Sequence, residues 1–198
     1  SYLVGDGQGY AHPLAEYFVF EACEHKEHFL SYHPDIVVCL NVDYDHVEYY
    51  KNKKQYKESF RKFLNQAKEK VIINSSLFYK RNQCISFGLN NSSIKAKNVR
   101  YTEKGIFFNL YVNKEYIKDV FLPFYGKHML MNSLACIACC SYIKIPTTNI
   151  LESLKKYKNA GRRYNISFNK SNIIIDDYGH HPTEIKSTIL AIKQEFND

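Results

Sequence analysis

The sequence lacks a long apolar segment, because no window approaches the roughly 18 uncharged apolar residues that a transmembrane helix needs. Its first residues also lack the basic region and the apolar run of a signal peptide. The sequence signals of a membrane-spanning or secreted protein are therefore missing. We expect a cytoplasmic protein without a membrane partner.

The six cysteines lack the arrangement of a zinc finger, because no CxxC pair is matched by a second pair at the required spacing. Most lie in apolar runs, where an unpaired cysteine behaves as a small hydrophobic residue, so we expect reduced thiols. The segment CEHKEH holds Cys23, His25 and His28, but no second ligand pair accompanies it. This segment is interpreted as a solvated polar loop, and no zinc site is predicted.

A phosphate-binding P-loop is also missing, since G-x-x-x-x-G-K-[ST] occurs nowhere in the chain. The net charge of +7 would suit an anionic partner. The lysines are nevertheless scattered, without the interleaved aromatic residues of an RNA-binding sheet. A nucleic-acid partner is therefore not predicted.

The first part of the chain alternates short apolar runs with a helical pattern. Residues 16–23 and 35–42 have the composition of buried parallel strands, and KVIIN at 70–74 predicts a third. Residues 55–67 place their apolar side chains on one face of a helix. This order predicts an α/β layer whose ligands bind at the carboxyl ends of the strands.

From about residue 84, alternating and aromatic runs joined by turn signals predict a small antiparallel sheet appended to that layer. Two helical patterns follow, and residues 172–196 then read as strand, loop and helix. The predicted fold class is α/β, with a mostly parallel central sheet flanked by helices and a small antiparallel sheet. A domain boundary is predicted near Gly161.

Acids and histidines follow three predicted strand ends: Glu21 and Glu24, then Asp43, Asp45 and His46, then Asp176, Asp177 and His180. Such ends converge at the ligand crevice of an α/β sheet. Carboxylates with few soft ligands suit Mg²⁺, which also holds substrate phosphates. The alternative is that these acids only cap loops and helices.

Five segments together resemble the Mur ligase family: FEACEHKEHFLSYHPD, NVDYDH, GKHMLMNSLACIA, AGRRY and DDYGHHPTEI. The resemblance runs in order over nearly the whole chain, and the last segment is specific to the muramate-recognising branch. It implies that residues 1–161 form most of a central ATPase domain without its P-loop start. Residues 162–198 would then begin a C-terminal Rossmann-like domain with its first strand–helix unit. The chain is accordingly expected to be truncated at both ends and inactive alone.

The resemblance implies an ATP-dependent ligase of peptidoglycan precursor synthesis. ATP would phosphorylate the carboxylate of UDP-N-acetylmuramate, and the amine of L-alanine would attack the acyl phosphate, with Mg²⁺ as cofactor. One alternative is the recycling ligase that attaches a ready-made tripeptide to UDP-N-acetylmuramate. Another is a noncatalytic nucleotide-binding module that has no P-loop.

The resemblance also implies roles for seven residues. Glu21 and His46 match metal ligands, Asn132 lies near the adenine, Arg163 at the terminal phosphates and Asp177 at the ribose, while Tyr178 and His180 face the amino-acid and muramyl end. Of these, His46, Arg163 and His180 are expected to serve catalysis. Imidazole is a poor ligand for Mg²⁺, so the metal role of His46 rests on the resemblance alone.

Three neighbouring positions need separate comment. His181 is interpreted as a helix-start residue because Pro182 follows it. Arg162 is either a structural neighbour of Arg163 or a second phosphate contact. Met129 stands where the family commonly has asparagine, which could weaken a nucleotide contact.

Overall fold

The computed structural model describes residues 1–3, 9–77, 79, 84–159, 161–169 and 172–196. A small sheet comes first, in the spatial order β2-β1-β3. Its strands are β1 (Tyr2–Leu3), β2 (Gly9–Tyr10) and β3 (Val19–Phe20). The predicted buried strand at 16–23 is therefore limited to two residues. It pairs with β1 instead of joining the main sheet, and Val19 is 64% exposed.

A six-stranded mixed sheet forms the centre of the chain. In spatial and chain order its strands are β4 (Ile36–Cys39), β5 (Lys70–Asn74), β6 (Cys84–Gly88), β7 (Ile94–Thr102), β8 (Gly105–Val112) and β9 (Glu115–Leu122). Strands β4 to β7 run parallel, whereas β7, β8 and β9 pair antiparallel. The fold class predicted from the sequence is confirmed, with the antiparallel strands continuing the parallel sheet.

The helices lie before, between and after these strands. They are a 3₁₀ helix (His25–Ser31), α1 (Lys53–Gln66), α2 (Gly126–Tyr142), α3 (Thr147–Lys156) and α4 (Pro182–Phe196). Asn52 caps the N-terminus of α1, because its side chain accepts a hydrogen bond from the Gln55 backbone N–H at 2.9 Å. Among the described residues, no helix is both long and apolar enough to cross a membrane.

Strand β5 shows why the sheet is covered on both faces. Its side chains alternate between faces, and Val71, Ile72 and Ile73 are nonetheless all buried. Ile72 belongs to the cluster that contains Leu130 of α2, whereas Val71 and Ile73 pack in the cluster that contains Phe63 of α1. An uninterrupted apolar run is therefore required at this strand.

Two details of the strands differ from the sequence prediction. Strand β6 pairs parallel with β5, although the pattern from residue 84 onward predicted antiparallel strands. The loop before β11 (Asn172–Asp176) contains a further strand, β10 (Asn165–Asn169), which pairs with it antiparallel. Both strands are short, and their partners depend on tertiary pairing, which periodicity does not specify.

A glutamine side chain joins helix α4 to the main sheet and to the start of α2. Gln194 accepts a hydrogen bond from the Gly126 backbone N–H at 2.7 Å and donates one to the Thr102 carbonyl at 3.0 Å. Ala191, one turn earlier, is buried. The strand–helix unit at the end of the chain is thereby held beside the start of α2.

Replacing Leu110 by alanine should lower the free energy of unfolding by about 2–5 kcal/mol, because the change leaves a cavity in the core. Leu110 of β8 is fully buried. Urea denaturation measures the change. The matched control is Leu14→Ala, since Leu14 is 86% exposed, and it should alter stability by less than about 0.5 kcal/mol. Equal losses in the two variants would contradict the placement of Leu110 in the core.

Candidate functional site

The turn after β4 holds His46 in an unusual backbone conformation. Its φ is +53°, and its backbone N–H donates to Asp45 Oδ1 at 2.7 Å. The His46 carbonyl accepts hydrogen bonds from the backbone N–H groups of Tyr49 and Tyr50, both at 2.9 Å. The fully buried Tyr50 donates its hydroxyl to the Glu24 carbonyl at 2.5 Å. This bond fastens the turn to the start of the 3₁₀ helix.

The imidazole of His46 lies between two carboxylates. Its Nε2 is 3.4 Å from Glu24 Oε1, and its Nδ1 is 3.4 Å from Glu48 Oε1. His25 approaches the same carboxylate, with Nε2 at 3.5 Å from Glu48 Oε1. Groups that follow β3 and β4 thus meet, although β3 pairs with β1 in the small sheet and is not a neighbour of β4. The sequence did not predict that His25 and Glu48 contact each other, because the two residues belong to separate segments of the chain.

The oxygen donors here suit the predicted Mg²⁺, whereas the imidazoles do not. Glu24 and Glu48 present carboxylate oxygens, which magnesium prefers, and Glu21 lies just after β3 with an exposed side chain. The two ring nitrogens of His46 already face carboxylates. The donor chemistry therefore favours a carboxylate-held Mg²⁺, and direct coordination by Glu21 and His46 stays a prediction.

The Asp177 carboxylate accepts hydrogen bonds from its own turn and from the loop before β10. Asp177 Oδ1 accepts from the Gly179 N–H at 2.8 Å, and Oδ2 accepts from the Tyr164 N–H at 3.0 Å. The Tyr178 N–H donates to the Arg162 carbonyl at 2.7 Å. The carboxylate predicted to contact ribose thus also joins two loops, leaving its remaining lone pairs for a ligand.

Arg163 and His180 both lie beside the ring of Tyr178. The guanidinium carbons of Arg162 and Arg163 are 5.3 and 5.5 Å from the centroid of the Tyr178 ring, within the range of cation–π contacts. The His180 ring meets the same tyrosine edge-on at 5.3 Å. Tyr178 remains 51% exposed, so this cationic and aromatic cluster is open to a ligand. Arg162 also lies 3.9 Å from Asp176 Oδ2, measured from its Nε.

His181 connects this turn to the main sheet. Its Nδ1 accepts from the Thr183 N–H at 3.3 Å, which confirms its role at the start of α4. The same nitrogen lies 3.7 Å from Asp43 Oδ2, in the loop after β4. The sequence analysis did not foresee this contact. It places the C-terminal turn at the carboxyl edge of the parallel strands.

The start of α2 forms the remaining wall. Gly126 has φ +81°, and a Cβ there would lie 2.8 Å from the His128 ring and 3.1 Å from Ala191 Cβ, so only glycine fits. Asn132, predicted near the adenine, is exposed one turn after His128. Met129, for which the resemblance implied asparagine, packs against the core.

His128 is the most unusual titratable group of this wall. Its Nδ1 is buried and has no hydrogen-bond partner among the described residues. Burial lowers the pKa of His128, and the nearby Asp177 carboxylate opposes that shift. The neutral imidazole is therefore favoured in the folded protein.

A family model described as the Mur ligase middle domain matches residues 11–140. Because this match covers more than half of the chain, the chain belongs to the Mur ligase family.

Solved structures show the same fold. MurF from Acinetobacter baumannii has a TM-score of 0.77 at 18% identity, over 93% of this chain and 44% of that one. The UDP-N-acetylmuramate-alanine ligase of Thermotoga maritima has a TM-score of 0.76 at 24% identity, over 91% and 43%. The MurF ligase of Thermotoga maritima in complex with ADP has a TM-score of 0.72 at 20% identity, over 89% and 44%. The chain spans less than half the length of each of these structures.

Acidification should destabilise the protein through His128. Because its pKa is lowered on folding, the unfolded chain binds the proton more readily, so stability falls as pH drops below about 6.5, the ordinary histidine pKa. The stability contributed by the neutral His128 is fully lost once the pH lies below the pKa of this residue in the folded protein. Urea titrations over a pH series should show a smaller acid-side loss in His128→Gln than in the parent. The exposed His28→Gln serves as control, and a His128→Gln profile identical to the parent's would contradict this assignment.

Proposed function

We propose that this chain is part of an ATP-dependent ligase of peptidoglycan precursor synthesis, which joins L-alanine to UDP-N-acetylmuramate. The observation that carries the proposal is the position of the Arg163, Tyr178 and His180 cluster. His181, next to this cluster, lies 3.7 Å from Asp43 in the loop after β4, which supports a position of the cluster near the carboxyl edge of the central sheet. Ligands of open α/β sheets bind at this edge.

The proposed reaction has two transfers. The carboxylate oxygen of the muramyl group attacks the γ-phosphorus of ATP, and ADP leaves. The amine of L-alanine then attacks the acyl carbon, the C–N bond forms, phosphate leaves and the nitrogen loses a proton. Both steps concentrate negative charge on phosphoryl oxygens, so a positioned guanidinium such as that of Arg163 would stabilise them. Mg²⁺, when bound near Glu21 and His46, would neutralise further phosphate charge.

The remaining residues are proposed to position the substrates. Asn132, exposed on α2, would face the adenine, and the free lone pairs of Asp177 would accept hydrogen bonds from the ribose. Tyr178 and His180 would contact the muramyl and amino-acid end, since their exposed rings lie beside the arginines. Under the same proposal, residues 1–161 belong to the central domain and residues 162–198 begin the C-terminal domain.

Two solved structures support the choice of substrates. One is named as a UDP-N-acetylmuramate-alanine ligase, and another contains ADP. A ligase for a tripeptide, L-alanyl-γ-D-glutamyl-meso-diaminopimelate, from Neisseria is also similar, with a TM-score of 0.62 at 20% identity over 73% of this chain and 49% of that one. The acceptor amine therefore has to be determined directly.

The test is an acceptor comparison with the protein that contains this chain. It is incubated with ATP, Mg²⁺ and UDP-N-acetylmuramate, together with L-alanine, the tripeptide or D-alanyl-D-alanine, and phosphate release and product mass are measured. Of the three acceptors, only L-alanine is expected to give product. If only the tripeptide gave product, the protein would be the recycling ligase instead. ATP binding without any product would indicate a noncatalytic nucleotide-binding module.

Replacing Arg163 by alanine should lower ligase turnover at least about 100-fold, because a charged donor on the reacting phosphoryl group is lost. Arg100→Ala is the matched control, since Arg100 is an exposed arginine that lies over the Phe107 ring, away from the cluster. It should leave turnover unchanged. Near-normal activity of the Arg163 variant would remove that residue from the proposed mechanism.

A further inference from the structure

Arg163, proposed above to act on the reacting phosphoryl group, lies in a backbone segment of unusual conformation. Both of its neighbours have positive φ angles, +57° at Arg162 and +52° at Tyr164. This left-handed conformation is unfavourable for arginine and tyrosine, and it persists only where the surrounding structure fixes it. The contacts of this segment therefore determine the direction in which the Arg163 side chain leaves the backbone.

Two of these contacts lead to the turn after β11. The Arg162 carbonyl accepts a hydrogen bond from the Tyr178 N–H at 2.7 Å. The Tyr164 N–H donates to Asp177 Oδ2 at 3.0 Å. These bonds fix the segment within the C-terminal strand–helix unit, but they do not by themselves link it to the central sheet.

A third contact joins the segment to α4. The Tyr164 hydroxyl donates to Glu195 Oε2 at 2.8 Å, although 31 residues separate the two. Because a carboxylate accepts it, this hydrogen bond is charge-assisted. Burial raises the pKa of Tyr164, and the bond to the Glu195 carboxylate raises it further, so the hydroxyl keeps its proton. The Tyr164 ring also lies 6.3 Å from that of Tyr125, the residue before α2, measured between centroids.

Glu195 is in turn anchored to the central sheet through its neighbour in α4. Gln194 accepts from the Gly126 N–H at 2.7 Å, at the start of α2, and donates to a carbonyl of β7 at 3.0 Å. The hydrogen bond between Tyr164 and Glu195 therefore connects the Arg163 segment to the beginning of α2 and to the main sheet.

We propose that Tyr164 and Glu195 are positioning residues, which hold Arg163 at a fixed place relative to the start of α2. The inference rests on the proposed ligase function for the role of Arg163, whereas the hydrogen bond is independent of the reaction. Neither side chain has to touch the substrate. Without the bond the segment can relax, and a displacement of about 1 Å in a reacting group can cost about 100-fold in rate.

The first measurement is hydrogen exchange, followed by mass spectrometry, on the whole protein that contains this chain. Tyr164→Phe removes the donor hydroxyl, and Glu195→Ala removes the acceptor. Each should raise exchange in a peptide covering residues 161–166 by about tenfold, because the segment opens more readily. Glu195→Gln keeps an oxygen that can accept the bond, so it should exchange like the parent. Unchanged exchange in both Tyr164→Phe and Glu195→Ala would overturn the proposal.

The second measurement is ligase turnover, which separates positioning from general stability. Tyr164→Phe and Glu195→Ala should each lower kcat about tenfold and leave KM for the acceptor amine unchanged, while Glu195→Gln stays within about twofold of the parent. In an Arg163→Ala background, Tyr164→Phe should cause no further loss, because it acts through that arginine. A further loss there, or a normal kcat in Tyr164→Phe, would contradict the positioning role.

Tyr116→Phe is the matched control, because it also removes a hydroxyl that donates to a carboxylate, Asp119 Oδ1, at 3.1 Å. Tyr116 belongs to β9, so the exchange of residues 161–166 and the turnover should both match the parent. If the parent forms no product with any acceptor, the proposed function fails, and with it the catalytic part of this inference. The exchange measurement still decides whether the hydrogen bond holds the segment.

Discussion

Burial of β5 on both faces is the constraint on which the rest of this structure depends. Val71 and Ile73 face α1, while Ile72 faces α2, so both helices must cover the same strand. Burial on both faces is typical of parallel sheets, and β5 pairs parallel with both of its neighbours, β4 and β6. The carboxyl ends of β4 and β5 are then brought to one edge.

The polar groups at that edge are held by short-range bonds and by a few long-range ones. Backbone hydrogen bonds close the turn at His46, and the Asp177 carboxylate closes its own turn by accepting from the Gly179 N–H. Long-range contacts then bring the turns together: Tyr50 reaches Glu24, His181 reaches Asp43, and Gln194 joins α4 to the start of α2. The candidate site is therefore assembled from rigid turns on a rigid sheet, which is the arrangement that positions reacting groups.

Charge is distributed unevenly over this edge. Carboxylates surround His46, whereas Arg162 and Arg163 flank Tyr178 on the C-terminal turn. Under the proposed function, the carboxylates would hold Mg²⁺ and the guanidinium groups would contact phosphoryl oxygens. The partly buried imidazole of His128 lies near Asp177 at the wall between these parts.

Local pattern was enough to predict most of the elements. Helix α1 and strand β5 follow from periodicity and apolar runs, and the motifs around His46, Arg163 and Tyr178 were recognisable because each is continuous in sequence. Their catalytic and binding roles remain predictions. The strand expected at 16–23 was largely wrong, because its apolar side chains pair only with β1 and stay exposed.

The sequence by itself determined the α/β class, the covered strands and the composition of each polar turn, because these depend on neighbouring residues. The parallel pairing of β6, the hairpin of β10 with β11, the contact of His181 with Asp43, and the meeting of His25, His46 and Glu48 were decided only by the tertiary structure. Each of these joins segments that are distant in sequence. Hydrophobic period carries no information about which distant polar groups become neighbours, so packing of the whole sheet had to bring them together.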